Sequence, residues 1–172
     1  MEFWDGYNKD GTLTGITLIR GERIPQGLYH LVCEVLVRHT DGDYLLMRRA
    51  ETKPNYGGCW EATAGGSALK GEDKLTCVKR ELLEETGISA NDFTELGRFV
   101  FDDSQCIFYT FLCVTNCDKA SVRLQDGETD AYKWVTELEF IAFVNSDEMI
   151  ARQKKRYSKY FTEKGYIVTS KK

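Results

Sequence analysis

The chain has 172 residues, 42% of them hydrophobic and 29% charged, with a formal net charge of −4 from 23 Lys+Arg against 27 Asp+Glu. Such a chain can bury a substantial core in one domain, and its composition excludes disordered and collagen-like polymers. The acidic balance speaks against a nucleic-acid binder, and no apolar run reaches the roughly 18–20 residues of a membrane span. Asp5, Asp10 and Arg20 interrupt the beginning of the chain, where a secretory leader would need a basic stretch followed by an apolar one. A soluble, cytoplasmic protein is the expectation. The six cysteines include no Cys-x-x-Cys pair and mostly sit in apolar runs, so free buried thiols are expected over disulfides.

In chain order, the Asn8–Gly11 turn cluster and the apolar run after it predict a hairpin or strand within residues 2–23, an extension ahead of the main body. Residues 28–38 are apolar and β-branched, Asp41-Gly42 supplies a turn, and 44–48 continue as a second strand, the strongest hairpin signal in the chain. Residues 54–58 form a loop and 60–64 a short strand that ends at Gly65-Gly66. The period then changes. Over 73–86 it is helical, with Leu75, Val78 and Leu82 on one expected buried stripe, and Gly87 stops the helix. Strands follow at 96–101, 106–115 and 131–135, and roughly the last 35 residues read as helical. The class is α/β or α+β around a mixed sheet. In the last segment, Met149, Ile150, Tyr157, Tyr160 and Phe161 recur near helical spacing. That predicts a packed helix with a basic, solvated face in preference to a nucleic-acid surface.

The helical segment carries the chemistry. Glu81, Glu84 and Glu85 stand at i, i+3 and i+4, so their carboxylates crowd one helix face. Like charges at that spacing destabilise a helix and make joint ionisation costly. A hard divalent cation removes the conflict, since it takes carboxylate oxygens and leaves positions for water and phosphate. A solvated acidic face is the alternative that the helix alone leaves open.

The wider context decides for the cation. From Gly66 the chain reads Gly66, five residues, Glu72, seven residues, Arg80-Glu81-Leu82, one residue, Glu84-Glu85, one residue, Gly87-Ile88. This is a complete match to the signature G-x5-E-x7-R-E-U-x-E-E-x-G-U of the Nudix hydrolases, with a chance probability of about 10⁻⁷ at average residue usage. The resemblance implies an α/β/α sandwich with a mixed central sheet. The whole of residues 1–172 would be one such domain, with 1–27 as N-terminal extension, 66–88 as signature and a C-terminal helix. It implies metal-assisted hydrolysis of a nucleoside diphosphate linked to another moiety X, with Mg²⁺ or Mn²⁺ held by Glu81, Glu84 and Glu85. Gly65, just before the signature, is counted with these metal-site positions. Glu72 and Arg80 would brace the loop and helix, and Gly66 and Gly87 would permit the turns. Some family members draw a further carboxylate from a loop before a late strand; here Glu128 is the candidate general base or extra metal ligand, with Asp126 and Asp130 as rivals. Arg49 matches an arginine that contacts phosphate in the family, and Trp60 a common family position that also suits a core residue.

The segments around His30 and Gly58-Cys59-Trp60 are similar to isopentenyl-diphosphate isomerase, which shares the fold. That enzyme needs a cysteine where this chain has Gly65 and a metal-binding histidine where it has Ser67, so the isomerase reaction is the lesser alternative. A nucleotide sensor without turnover is the other, though no fixed signature position is damaged. The partner implied is a small nucleotide or diphosphate, with a homodimer in keeping with the family. Selectivity lies outside the signature; residues 101–108 and Tyr56 are aromatic candidates for contact with a base.

Overall fold

A computed structural model describes residues 1–167 of the chain. Its elements in order are strands β1 (Phe3–Tyr7), β2 (Leu13–Ile19), β3 (His30–His39), β4 (Tyr44–Arg49), β5 (Trp60–Ala62) and β6 (Ala64–Ser67), helix α1 (Lys74–Thr86), strands β7 (Thr94–Phe101), β8 (Cys106–Thr115) and β9 (Thr129–Val135), and helices α2 (Glu137–Asn145) and α3 (Ala151–Glu163). β1 and β2 pair as a separate antiparallel hairpin, and the remaining strands form one seven-stranded sheet. Within it, the order β5-β4-β3-β8-β7 is joined by β6 on β3 and β9 on β4. β3 and β8 run parallel along ten residue pairs, and the other pairings are antiparallel. The sheet is therefore mixed.

Strand alternation puts a core on each face of that sheet. On one face Cys33, Val35 and Val37 of β3 and Leu45 and Met47 of β4 pack with Cys77, Val78 and Leu82 of α1. On the other, Leu36, Tyr44 and Leu46 meet Phe140, Phe143 and Val144 of α2 and Tyr157 and Phe161 of α3. This is the expected α/β/α sandwich. No described helix is long and apolar enough to cross a membrane. All six cysteines are free.

Three local expectations are corrected. Leu75 is exposed rather than part of the buried stripe, which runs instead through Cys77, Val78, Leu82 and the carboxylates Glu81 and Glu85. The face of α1 nearest β6 is thus partly acidic, not purely apolar. The strand expected at 60–64 is two strands, because Thr63 takes a left-handed φ of 57°. Before this kink β5 pairs with β4; after it β6 pairs with β3. The Thr63 hydroxyl fills the gap, accepting from Val37 N at 3.0 Å and donating to Leu45 O at 2.9 Å. The C-terminal helix is two helices, α2 and α3, separated by residues 146–150, and residues 168–172 of the expected helical stretch lie outside the described residues. α2 starts with a reciprocal capping box between Thr136 and Glu139.

α3 packs by its aromatic side, as its spacing predicts, but it also buries polar groups. Gln153 accepts from Ala62 N at 2.8 Å and donates to Ala62 O at 3.3 Å. Arg156 forms a two-pronged pair with Glu34 of β3, one prong at 2.7 Å from Nε to Oε2, and lies 4.5 Å over the Phe108 ring. Removing one partner leaves a buried charge uncompensated. Arg156→Ala is expected to lower the unfolding free energy by about 3–5 kcal/mol in denaturant titration, and Glu34→Ala combined with it to recover part of that loss. An Arg156→Ala protein with wild-type stability would show the pair to be solvated.

The hairpin docks through its own ring stack, Trp4 on His30 with centroids 4.3 Å apart and planes 12° from parallel. Burial under Trp4 lowers the His30 pKa to about 4. The unfolded chain therefore takes up the proton first, and stability falls as pH drops from about 6.5 toward 4. Urea titrations across that window should show a smaller pH slope for His30→Phe than for wild type; equal slopes would refute the assignment.

Candidate active site

α1 is built to present its acids. Asp73 caps its start, accepting from Thr76 N at 2.7 Å, and Gly87 ends it at φ 72°, donating to Leu83 O at 2.9 Å. The helix lies against β6, so Glu81 and Glu85 are buried at the junction while Glu84 remains exposed. Gly66 is a close-approach position: a Cβ there would fall 2.4 Å from Glu81 Oε1. Gly65 is equally confined, its Cβ position 2.6 Å from Cys33 O. Its N–H donates to Glu85 Oε2 at 3.2 Å.

Arg80 organises the acids around it. Its Nε and Nη2 grip Glu72 at 2.7 and 3.0 Å, and Nη2 also donates to Ser67 O at 3.0 Å. Nη1 bridges Glu81 at 2.8 Å and Glu84 at 2.9 Å. Glu72 in turn accepts from Leu69 N at 2.9 Å, which fixes the loop ahead of the helix. Among the described residues no three acidic, histidine or cysteine side chains already close into a ligand set, and two of the signature glutamates are bonded to Arg80. Glu85 stands apart from that guanidinium. Burial first, then the charges of Glu61 and Glu81, push its carboxyl well above the usual range. Glu81 is also raised by burial, against the opposing pull of Arg80. These are hard oxygen donors whose mutual repulsion a divalent cation would relieve, so the donor set fits Mg²⁺ or Mn²⁺.

Opposite α1 lies a basic wall. Arg49 is on the same strand face as Leu45 and Met47, and its Nη1 donates to both oxygens of Glu61 at 3.0 and 3.1 Å. Arg48, one residue earlier, turns to the other face and pairs with Asp130 at 2.6 Å. Lys53 pairs with Glu128 across the mouth of the cleft. Glu81, Glu84, Glu85, Arg80, Arg49, Lys53 and Glu128, with Gly65 and Gly66, line one cavity of about 310 Å³.

Of the three acids considered for the late loop, Glu128 alone lines this cavity; Asp130 belongs to Arg48, and Asp126 is elsewhere. His30 is buried under Trp4 and Trp60 lies under Lys133 at 4.2 Å, so neither reaches the cleft. Sequence reasoning missed Lys53, Glu61, Gln125 and the hairpin residues Glu2 and Arg20, all of which lie in or directly behind the cleft lining. Only Glu61 left a usable signal, a charged residue inside an otherwise apolar short strand, and burial pushes its pKa up to about 7 despite Arg49.

A family model for the NUDIX domain matches residues 28–160. The chain belongs to the Nudix family. Among relatives, this Nudix protein is 32% identical over 150 residues to an uncharacterized Nudix hydrolase of Listeria monocytogenes, covering 87% of this chain and 89% of the other. Its structure resembles that of a MutT protein from Methanosarcina mazei, with TM-score 0.65 and 26% identity over 83% of this chain and 99% of that one. It shares its fold with DR0079 from Deinococcus radiodurans, with TM-score 0.70 at 16% identity over 96% of this chain and 100% of that one. The protein is a Nudix hydrolase, with the acidic face of α1 turned into the cleft.

The contact between Gly66 and Glu81 gives a direct test. Gly66→Ala must displace the Glu81 carboxylate, and a misplacement of that order costs about a hundredfold in kcat/KM. Steady-state assay on a hydrolysed diphosphate should show that loss while circular dichroism remains unchanged. Full activity in Gly66→Ala would mean that the position of Glu81 is not critical.

Proposed function

We propose that the protein hydrolyses a phosphoanhydride bond in a nucleoside diphosphate linked to a moiety X, with Mg²⁺ or Mn²⁺ held by Glu81, Glu84 and Glu85. The observation that carries this reading is the convergence in one cleft of the three signature glutamates with Arg49, Lys53 and Glu128. A bound divalent cation supplies positive charge to the diphosphate oxygens and acidifies water at neutral pH. Gly65 has no side chain, so its share in the metal site would fall to its backbone oxygen.

The protein's own residues do the rest. Arg49 offers a planar fork to phosphoryl oxygens, with Glu61 holding that fork in place until a phosphate competes for it. Lys53 neutralises a second phosphoryl group, and leaving Glu128 for it frees that carboxylate. Glu128 then takes the proton from the attacking water. Arg80 keeps the loop and helix in register through Glu72 and Ser67, a positioning role. The whole chain acts as one catalytic unit in this reading, with residues 1–27 as an extension over the signature region.

The confinement of Gly65 bears on the isomerase alternative. That reaction needs a thiol at this position, and a Cβ there would lie 2.6 Å from Cys33 O and 2.9 Å from Glu34 Cγ. Protein of this backbone has no room for it.

Phosphate release with Mg²⁺ and with Mn²⁺ across nucleoside triphosphates, nucleotide sugars and dinucleotides tests the proposal. Glu84→Gln and Glu85→Gln are each expected to lower kcat by at least about a hundredfold, on the scale of losing one group that stabilises the transition state. Undiminished turnover in both variants at saturating Mg²⁺ would overturn the assignment.

A further inference from the structure

The family match begins at residue 28, yet the cleft does not end there. Glu2, just before β1, and Arg20, just after β2, stand at the open end of the N-terminal hairpin and line the same cavity as the signature glutamates. They are joined by an ion pair of 2.7 Å, and both side chains remain about half exposed. The hairpin that carries them is fastened to the loop between β6 and α1. Lys70 N donates to Phe3 O at 2.8 Å, Gly71 N to Asp5 Oδ2 at 2.7 Å, and Lys70 Nζ to Thr17 Oγ1 at 2.7 Å. Together with the Trp4–His30 stack, these bonds fix the pair relative to the signature.

The chemistry of the cleft limits what this pair can meet. No aromatic ring lines it among the described residues, and Leu69 is its one large apolar side chain. Tyr56, Phe101 and Phe108, the aromatics considered for base contact, all lie elsewhere. A nucleobase would find no plane to stack on inside the cavity. The Glu2–Arg20 pair offers a carboxylate acceptor beside several guanidinium donors, with no net charge. A hydroxyl both donates and accepts, so adjacent hydroxyls suit such a pair, whereas a phosphate would meet the Glu2 carboxylate as well as Arg20.

We infer that the N-terminal hairpin is a specificity element, and that Glu2 and Arg20 bind a polyhydroxylated, sugar-like group attached beyond the diphosphate. This rests on the hydrolase reading above and names the class of X. The nucleobase then lies outside the enclosed part of the cleft, and discrimination among bases is weak.

The test compares UDP-glucose and ADP-ribose with ATP, which carries no sugar beyond its phosphate chain. Wild type, Arg20→Ala, Glu2→Gln and Arg20→Lys are assayed with Mg²⁺. The ratio of kcat/KM for a sugar diphosphate to that for ATP should fall about tenfold in Arg20→Ala and Glu2→Gln, mainly through KM, as expected for one charge-assisted hydrogen bond. Arg20→Lys should restore part of it. An unchanged ratio, or equal losses on all three compounds, would overturn the inference, the latter showing that the pair only maintains cleft shape. Calorimetric Kd values for the same compounds in a Glu84→Gln background give the same ratio without turnover. If wild type turns over triphosphates or dinucleotides but neither sugar diphosphate, the inference fails and the hydrolase reading stands. If it turns over no member of the wider panel, the hydrolase reading fails, while the binding ratio still decides the role of Glu2 and Arg20.

Discussion

The Arg80 guanidinium is the interaction on which the site depends. Three glutamates and a main-chain carbonyl share its donors, so one planar group fixes both the loop before α1 and the carboxylates on it. Without it, Glu72, Glu81 and Glu84 would repel one another across a partly buried junction, and the helix would lose its bond to Ser67. A lysine could supply the charge but not the simultaneous geometry. The remaining architecture serves this junction. α1 is held down by Val78, Leu82 and Cys77, and β6 is held edge-on to it by pairing with β3.

The sheet lets a core on each face coexist with an acidic cleft at one end. β4 illustrates the division: Leu45 and Met47 are apolar on the α1 face, and Arg49, next on that face, emerges at the cleft. Leu46 enters the opposite core, and Arg48 leaves it to meet Asp130. A shift of one residue in register would exchange the phosphate-facing arginine for its neighbour. The β4–β9 ladder, continuous from Tyr44 to Arg48, opposes that shift.

Legibility in the sequence followed locality. The signature glutamates and their helix could be read because 3.6-residue periodicity turns spacing directly into a shared face, and Gly87 marks its end. The hairpin at Asp41-Gly42 was legible for a similar reason, although β3 and β4 share only the pair Arg38 and Tyr44 before each takes other neighbours. Glu61, Lys53, Arg20 and Glu2 were not legible, because strand register and hairpin docking bring them to the cleft from distant segments. Leu75 misled because apolar spacing cannot reveal that Glu81 and Glu85 share the buried side of the helix. The kink at Thr63 was hidden because a threonine in an apolar run reads as strand, and its left-handed backbone depends on bonds to Val37 and Leu45 that are remote in sequence.

Gln153 seals a split inside the sheet. β9 takes one edge of β4 along its whole length, so β3 and β5 share the other, β3 at Tyr44 and β5 from Leu46 onward. Where β3 and β4 diverge, both main-chain groups of Ala62 are taken by one side-chain amide from α3, which acts as a single rung of a neighbouring strand. The helix layer therefore closes the gap from within the same molecule. Prising α3 away would strand two buried main-chain groups at Ala62, and water would have to enter the sheet to replace the amide.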